Sequence, residues 1–297
     1  MIQVMGAGAL GSLLGALLQL SGKEVIFVAR GKQLEALRKK LIITGLLNAE
    51  LEVKASERPV DAEITFFTVK AYDTETAGKM LGEINPGIVC TLQNGIGVEK
   101  ILKRYVERVV RGVTSYGANL IDYGKVMYAG KGFVYLPKGK EAERVARVLI
   151  EAGMNVEIVE NIDFFIWAKA IVNSVINPLT AICRVRNGSI IESEHIWQVA
   201  EKIAKEGQNL MEKLGYKFDA ISEVRRVAEM TARNKSSMLQ DVLRGKRTEI
   251  DYINGEIVKK CKELGLSCDF NEMIWKIVKG LEYGISLRDP DISVANI

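Results

Sequence analysis

"IQVMGAGALGSLLGALLQL", residues 2–20, decides how the first half of the chain reads. Four apolar-rich residues run straight into GAGALG at 6–11, a G-x-G-x-x-G pattern, and an apolar helical run follows. The glycine pattern alone carries little, but a strand before it and a helix after it make it a dinucleotide-binding turn. Gly6 permits the tight turn, Gly8 lets the backbone approach a pyrophosphate, and Gly11 lets helix and strand pack closely. Amides at the helix start then face the negative charge.

The same stretch has no charged residue, which invites a signal-peptide or membrane-helix reading. A signal peptide needs a basic segment before its apolar core, and none precedes this one. Gly6, Gly8 and Gly11 break the first third of any membrane helix. Strand, turn and buried helix account for the segment better, and no membrane association is expected.

Outward from this turn the pattern alternates. "EVIFVA", "EITFFTV" and "GIVCTL" read as further buried strands. Helical periodicity lies between them at 9–20, 33–40, 73–83 and 98–106. Alternation of this kind predicts a mostly parallel, doubly wound α/β sheet of the Rossmann type. "RVVRGVTSYGANL", "KVMYAG" and "GFVYL" read as hairpin strands finishing that sheet, followed by a helix at 140–153 and a last strand, "NVEIV". Beyond about residue 163 strand signals vanish, and helical periodicity is broken near Asn187 and Gly188, Gly215, Gly245 and Gly265. Two domains follow: residues 1–163 for the nucleotide and an all-α domain over 164–297. The tail "SLRDPDISVANI" reads as irregular.

At the end of the second strand, "IFVARGK" carries Arg30 and Lys32 where NAD-binding sites place an acid for the ribose 2′-hydroxyl. A guanidinium suits a 2′-phosphate, so NADP(H) is favoured and NAD(H) is admitted. Lys70 in "TVKAYDT" and Asn94 in "TLQNGIG" fall at the carboxyl ends of the third and fourth strands, where doubly wound sheets bind ligands.

In the second half, "KAIVNSVINPLTA" at 169–181 is a mostly apolar helix with Lys169, Asn173 and Asn177 at spacing four. A lysine and two amides on one stripe of a core helix are costly unless they line a polar cavity or a solvated edge. Pro178 has no amide hydrogen, so the carbonyl of Ser174 loses its helix partner and a kink is expected.

Composition closes other doors. The net charge is only +4, and no basic run is interleaved with aromatics, so nucleic acid is not an expected partner. The sole histidine, His195, sits near a helix start, which disfavours a Ser-His-Asp hydrolase or a His-ligated metal site. Cys90, Cys183, Cys261 and Cys268 have no pair at zinc or redox-dithiol spacing. They read as free, mostly buried thiols of a reducing cytoplasm.

Taken together, "GAGALG", "TVKAYDT", "LQNGIG", "WAKAIVNSVINPLTA", the Asn187 and Gly188 pair and "NKSSMLQDVLRGKRTEIDYINGEIV" resemble the 2-dehydropantoate 2-reductases, or ketopantoate reductases, nearly end to end. The resemblance implies a Rossmann domain joined to a helical domain and NADPH-dependent reduction of 2-dehydropantoate to (R)-pantoate, on the route to pantothenate and coenzyme A. It implies that Lys169 is the general acid, with Glu249 completing the catalytic site. Substrate contacts are implied at Asn94, Asn173, Asn177, Asn187, Asn234 and Ser237. Cofactor contacts are implied at Gly6, Ala7, Gly8, Ala9, Leu10, Gly11, Arg30, Lys70, Asn94, Ala118 and Glu249. Burial would lower the pKa of Lys169 and a nearby Glu249 would raise it. "TEID" at 248–251 also fits a helix capping box. Coenzyme A, the end product, is a candidate feedback inhibitor at the nucleotide site, with a disulfide to Cys90 as one route. The resemblance leaves open a monomer or a homodimer. Two other readings stand beside it: a reductase of another 2-oxo acid or a β-hydroxyacid dehydrogenase on the same plan, and a nucleotide sensor without turnover.

Overall fold

A computed structural model describes residues 1–287. The chain divides into two compact units, Met1–Phe165 and Ile166–Ile297.

The first unit opens β1 (Ile2–Met5), α1 (Ala9–Leu20), β2 (Val25–Val28), α2 (Gly31–Leu37), β3 (Leu41–Gly45), β4 (Ala49–Leu51), β5 (Lys54–Ser56) and β6 (Ile64–Phe67). A 3-10 turn (Ala71–Asp73), α3 (Thr74–Gly82), β7 (Ile88–Thr91), α4 (Val98–Leu102) and β8 (Val109–Arg111) follow. It closes with β9 (Val113–Thr114), β10 (Gly117–Asp122), β11 (Lys125–Gly130), β12 (Val134–Pro137), α5 (Lys140–Glu151) and β13 (Val156–Val159).

Six strands form one parallel sheet in the order β5-β2-β1-β6-β7-β8. β1, β6 and β7 are buried at every residue, as strands covered on both faces must be. The doubly wound α/β expectation holds here. The expectation that the later hairpin strands finish this sheet does not. Only β8 joins it, and β10-β11-β3-β4 and β13-β12-β9 form two further sheets. The chain leaves the main sheet at Gly112, where any side chain would run into Leu92 and Leu136. β9 then pairs with β12, and β11 pairs in parallel with β3. β3, β4 and β5 were not expected from the sequence; β4 and β5 are three residues each and mixed in polarity. α4 is also shorter than the 98–106 periodicity, because residues beyond Leu102 turn tightly back on it.

The second unit is helical: α6 (Ile162–Cys183, its first turn in the first unit), α7 (Ser189–Glu192), α8 (Glu194–Lys213), α9 (Ala220–Met230), α10 (Ser237–Leu243), a 3-10 turn (Ile250–Tyr252), α11 (Asn254–Glu263) and α12 (Asp269–Leu287). Side chains of Ser193, Asp219 and Ser236 cap α8, α9 and α10. Gly215, Gly245 and Gly265 take positive φ between helices, where an L side chain would be strained. α6 is long and apolar enough to span a membrane, but most of it is buried in the fold. α8 approaches it closely at Gly207, where a Cβ would meet Ile171. Of the tail, Ser286 and Leu287 finish α12, and the remainder lies outside the described residues.

One expectation about the cysteines is overturned. Cys261, in α11, and Cys268, just before α12, form a disulfide. The loop between the two helices returns one cysteine to the other, a pairing that their seven-residue separation did not signal. Cys90 and Cys183 are free, the first buried and the second exposed.

Candidate active site

In the first unit the glycine turn is built from both flanking strands. The amides of Gly6 and Ala7 donate to the Val28 carbonyl of β2, and Thr68 Oγ1, at the end of β6, donates to the Gly6 carbonyl at 2.9 Å. Gly6 has φ +100, and a Cβ there would stand 2.6 Å from the Val69 nitrogen. A Cβ on Gly11 would stand 2.5 Å from Thr68 Oγ1 and press on the Gly6 carbonyl. Gly8 differs, being exposed with open space where its Cβ would lie. No side chain caps α1 at Gly8, and its first turn carries no acid. Ala9, Leu10 and Gly11 therefore present helix-start amides that lack intrahelical acceptors. An uncapped helix start beside an open glycine suits a pyrophosphate.

Two residues outside the motif hold this turn. Gln33 Nε2 donates to the Ala7 carbonyl at 2.7 Å, and Gln33 Oε1 accepts from the Gly124 amide between β10 and β11 at 3.0 Å. Ser12 Oγ donates to the same Ala7 carbonyl at 3.0 Å. Ala118 lies in β10, which packs against α1. Neither Gln33 nor Thr68 was singled out from the sequence, because their partners are backbone atoms distant in the chain.

Lys70 and Asn94 emerge after β6 and β7, neighbours in the sheet, and both are half-buried. Gln93 joins their loops: its Nε2 donates to the Val69 carbonyl at 2.9 Å and to Thr74 Oγ1 at 2.8 Å. Buried Arg111, from β8, donates to the carbonyls of Gln93 and Gly95 at 2.9 Å, on either side of Asn94. Burial lowers the Arg111 pKa, and Glu99, at 3.7 Å, acts against that shift. A charged residue inside the apolar run "RVVRGV" was the available signal for it.

Arg30 follows β2 with its side chain 75% exposed, and its Nη2 donates to Asp73 Oδ2 at 2.8 Å. Lys32 is exposed. Cys90 lies wholly buried in β7, and burial pushes its thiol up to about 12. At neutral pH it has no appreciable thiolate, so the structure does not support a Cys90 disulfide to coenzyme A.

In the second unit, α6 carries the polar stripe. Lys169 and Asn173 are half-buried, and Asn177 is 5% exposed. No side chain among the described residues is hydrogen-bonded to either amide head. Thr180 Oγ1, less than a turn past Asn177, donates to Ser236 Oγ at 2.7 Å. Ser236 in turn caps α10, which sets Ser237 at that helix start beside α6. The Asn187 amide donates to the Asn234 carbonyl at 3.1 Å, and Asn187 Nδ2 donates to Thr231 Oγ1 at 2.9 Å. The buried Oδ1 of Asn187 has no hydrogen-bond partner among the described residues.

Glu249 is 6% exposed and flanked by anchored residues. The capping box expected at 248–251 does not form. Thr248 N and Oγ1 both donate to Glu282 Oε1 of α12 at 2.7 Å. Asp251 instead accepts from Trp275 Nε1 at 2.8 Å and Lys279 Nζ at 3.0 Å. Thr248 Oγ1 still accepts from the Ile250 amide at 3.3 Å, but partners on α12 take the Thr248 amide and the Asp251 carboxylate that a capping box would join. Ile250 packs with Ala181 and Met238, which draws the segments bearing Glu249, Ser237 and the end of the stripe into one cluster.

Residues 2–141 match the family described as "Ketopantoate reductase PanE/ApbA", and residues 161–282 match its C-terminal counterpart. A 2-dehydropantoate 2-reductase of Archaeoglobus fulgidus is 58% identical over 96% of this chain and 98% of its own. A PanE/ApbA family ketopantoate reductase from Ralstonia eutropha has a solved structure with TM-score 0.89 at 29% identity, covering 96% of this chain and 99% of that one. D-mandelate dehydrogenase with NADH and anilino(oxo)acetate gives TM-score 0.90 at 27% identity, with the same coverage. The chain belongs to the ketopantoate reductase family, oxidoreductases that act on 2-oxo acids.

Proposed function

We propose that the protein reduces 2-dehydropantoate to (R)-pantoate, taking hydride from a nicotinamide dinucleotide bound by the first unit and a proton from Lys169. The observation that carries this is the α6 stripe, a lysine and two amides set on a mostly buried, apolar helix. The glycine turn would hold the dinucleotide, which would supply the hydride. As hydride reaches the keto carbon, negative charge grows on its oxygen. The Lys169 ammonium stabilises that charge and then gives up its proton.

Asn173 and Asn177 hydrogen-bond the substrate without adding charge. Ser237, at the capped start of α10, takes the carboxylate, and Asn94, Asn187 and Asn234 complete the substrate contacts. Glu249 touches the substrate hydroxyl, the nicotinamide ribose or Lys169. Gly6, Ala7, Gly8, Ala9, Leu10 and Gly11 hold the pyrophosphate. Lys70 and Ala118 contact the cofactor, and Arg30 favours NADPH over NADH. The division of labour follows the two-domain plan, 1–163 for the nucleotide and 164–297 for the substrate. Coenzyme A competes for the nucleotide site without bonding to Cys90. The protein works in the cytoplasm as a monomer or homodimer.

A second reading is favoured by the likeness to D-mandelate dehydrogenase: reduction of a bulkier 2-oxo acid with the same lysine. Absorbance at 340 nm with NADPH or NADH, against 2-dehydropantoate and a panel of 2-oxo acids, separates them. Turnover confined to 2-dehydropantoate supports the first reading. Turnover with an aromatic 2-oxo acid instead supports the second. Nucleotide binding without any turnover makes the protein a sensor.

A further inference from the structure

We propose that Asp73 sets the balance between NADPH and NADH, acting against Arg30. This rests on the nucleotide site assigned above. "IFVARGK" has no carboxylate, so the usual acid for a ribose 2′-hydroxyl is missing from the end of β2. Asp73 supplies one from another strand. It ends the 3-10 turn after β6, and β6 and β2 are the two neighbours of β1. From there its carboxylate meets the Arg30 guanidinium at 2.8 Å.

Asp73 is firmly placed. Its amide donates to the Lys70 carbonyl at 2.8 Å. Gln93 clamps the segment on both sides, through the Val69 carbonyl and Thr74 Oγ1. Arg30, by contrast, is mostly exposed. An exposed ion pair is weak, and a guanidinium has donors to spare, so Arg30 can share itself with a ligand while Asp73 stays in place.

A ligand group that shares the guanidinium with Asp73 lies within about 6 Å of that carboxylate, close enough for like charges to repel. A 2′-phosphate gains the guanidinium but meets this carboxylate. A 2′-hydroxyl can donate to it. One ion pair thus serves both cofactors, and Asp73 holds the preference for NADPH below what Arg30 alone would give.

The test compares the protein with Asp73→Asn and Arg30→Ala variants. Calorimetry measures binding of 2′,5′-ADP and 5′-AMP, and initial rates give kcat/KM for NADPH and NADH. Asp73→Asn is expected to tighten 2′,5′-ADP, weaken 5′-AMP and raise the NADPH-to-NADH ratio by about tenfold, the low end of a like-charge effect near the surface. Arg30→Ala is expected to lower the ratio. An unchanged or lowered ratio in Asp73→Asn, with an unchanged thermal midpoint, overturns the inference. If the unaltered protein binds neither nucleotide, the nucleotide site itself is wrong and the inference falls with it.

Discussion

The side-chain amide of Asn254 donates to the carbonyl oxygen of Ser174 at 2.9 Å, deep in the helical unit. That carbonyl is the one left without a helix partner by Pro178, four residues on. Asn254 is fully buried and also donates to Asn271 Oδ1 at 3.1 Å. Asn271 Nδ2 continues to Glu206 Oε2 at 2.8 Å. A chain of amides thus ties the proline segment of α6 to α8, α11 and α12.

Asn254→Ala strands a buried carbonyl and is expected to destabilise the protein by about 1–3 kcal/mol. In a Pro178→Ala background the amide at 178 can serve Ser174, so the cost of Asn254→Ala shrinks. A double-mutant cycle by denaturant unfolding checks this; additive costs would show that the two residues are not coupled.

The glycines of the turn differ in what they protect. Gly11→Ala drives a methyl onto Thr68 Oγ1 and the Gly6 carbonyl, and is expected to cost about 1–3 kcal/mol of stability. Gly8→Ala meets open space, so its thermal midpoint stays close to that of the unaltered protein. Its KM for the dinucleotide is expected to rise about tenfold or more, equivalent to ~1.4 kcal/mol of lost binding. Thermal unfolding and initial rates on the two variants separate packing from ligand access.

Asp251 gives the fold an acid-sensitive point. Burial pushes its carboxyl up, but bonds from Trp275, Lys279 and Arg247 outweigh that and hold it below the usual carboxylate value. A depressed pKa means that the unfolded chain binds the proton more readily. The contribution is therefore complete above the ordinary aspartate value of about 3.9 and is lost as pH falls through the folded value. Lys279 has the opposite sign. Burial lowers its pKa, while Glu282 and Asp251 raise it further, so its contribution is lost only as pH rises through that raised value. Asp251→Asn is expected to lower the thermal midpoint near neutral pH and flatten its fall in acid. Midpoints measured from about pH 3 to pH 7 test the sign.

The Cys261–Cys268 bridge closes a short loop between α11 and α12. Constraining the unfolded chain in this way is worth about 2–3 kcal/mol in the loop-entropy account. Cys261→Ser, or reductant under unfolding conditions, is expected to lower the thermal midpoint. An identical midpoint with and without reductant would mean that the bridge contributes nothing.

Local periodicity carried much of this architecture. β1, the glycine turn and α1 lie in consecutive residues, and burial on both faces makes β6 and β7 read as apolar runs. The α6 stripe and the carbonyl freed by Pro178 were legible for the same reason. Its partner Asn254 was not, because eighty residues separate it from Ser174 and only the fold brings them together. Asp251 looked like a cap until α12 offered Trp275 and Lys279. The disulfide was hidden by a spacing that belongs to no local motif. Gln33 and Arg111 fix the glycine turn and the loop after β7 through backbone carbonyls, contacts that no residue pattern encodes. β9 to β12 were legible as strands, but β11 pairs with β3, which was not expected, and β9 and β12 pair in a separate sheet with β13.

Proton donation by Lys169 in 2-dehydropantoate reduction is the step proposed above. Loss of NADPH absorbance at 340 nm, followed with 2-dehydropantoate for the unaltered protein and Lys169→Ala, tests it most directly. Rapid turnover is expected in the first and a kcat lower by about 10²–10⁴-fold in the second, with NADPH binding by fluorescence retained. Equal turnover in both proteins, or none in the unaltered one with NADPH bound, would contradict it.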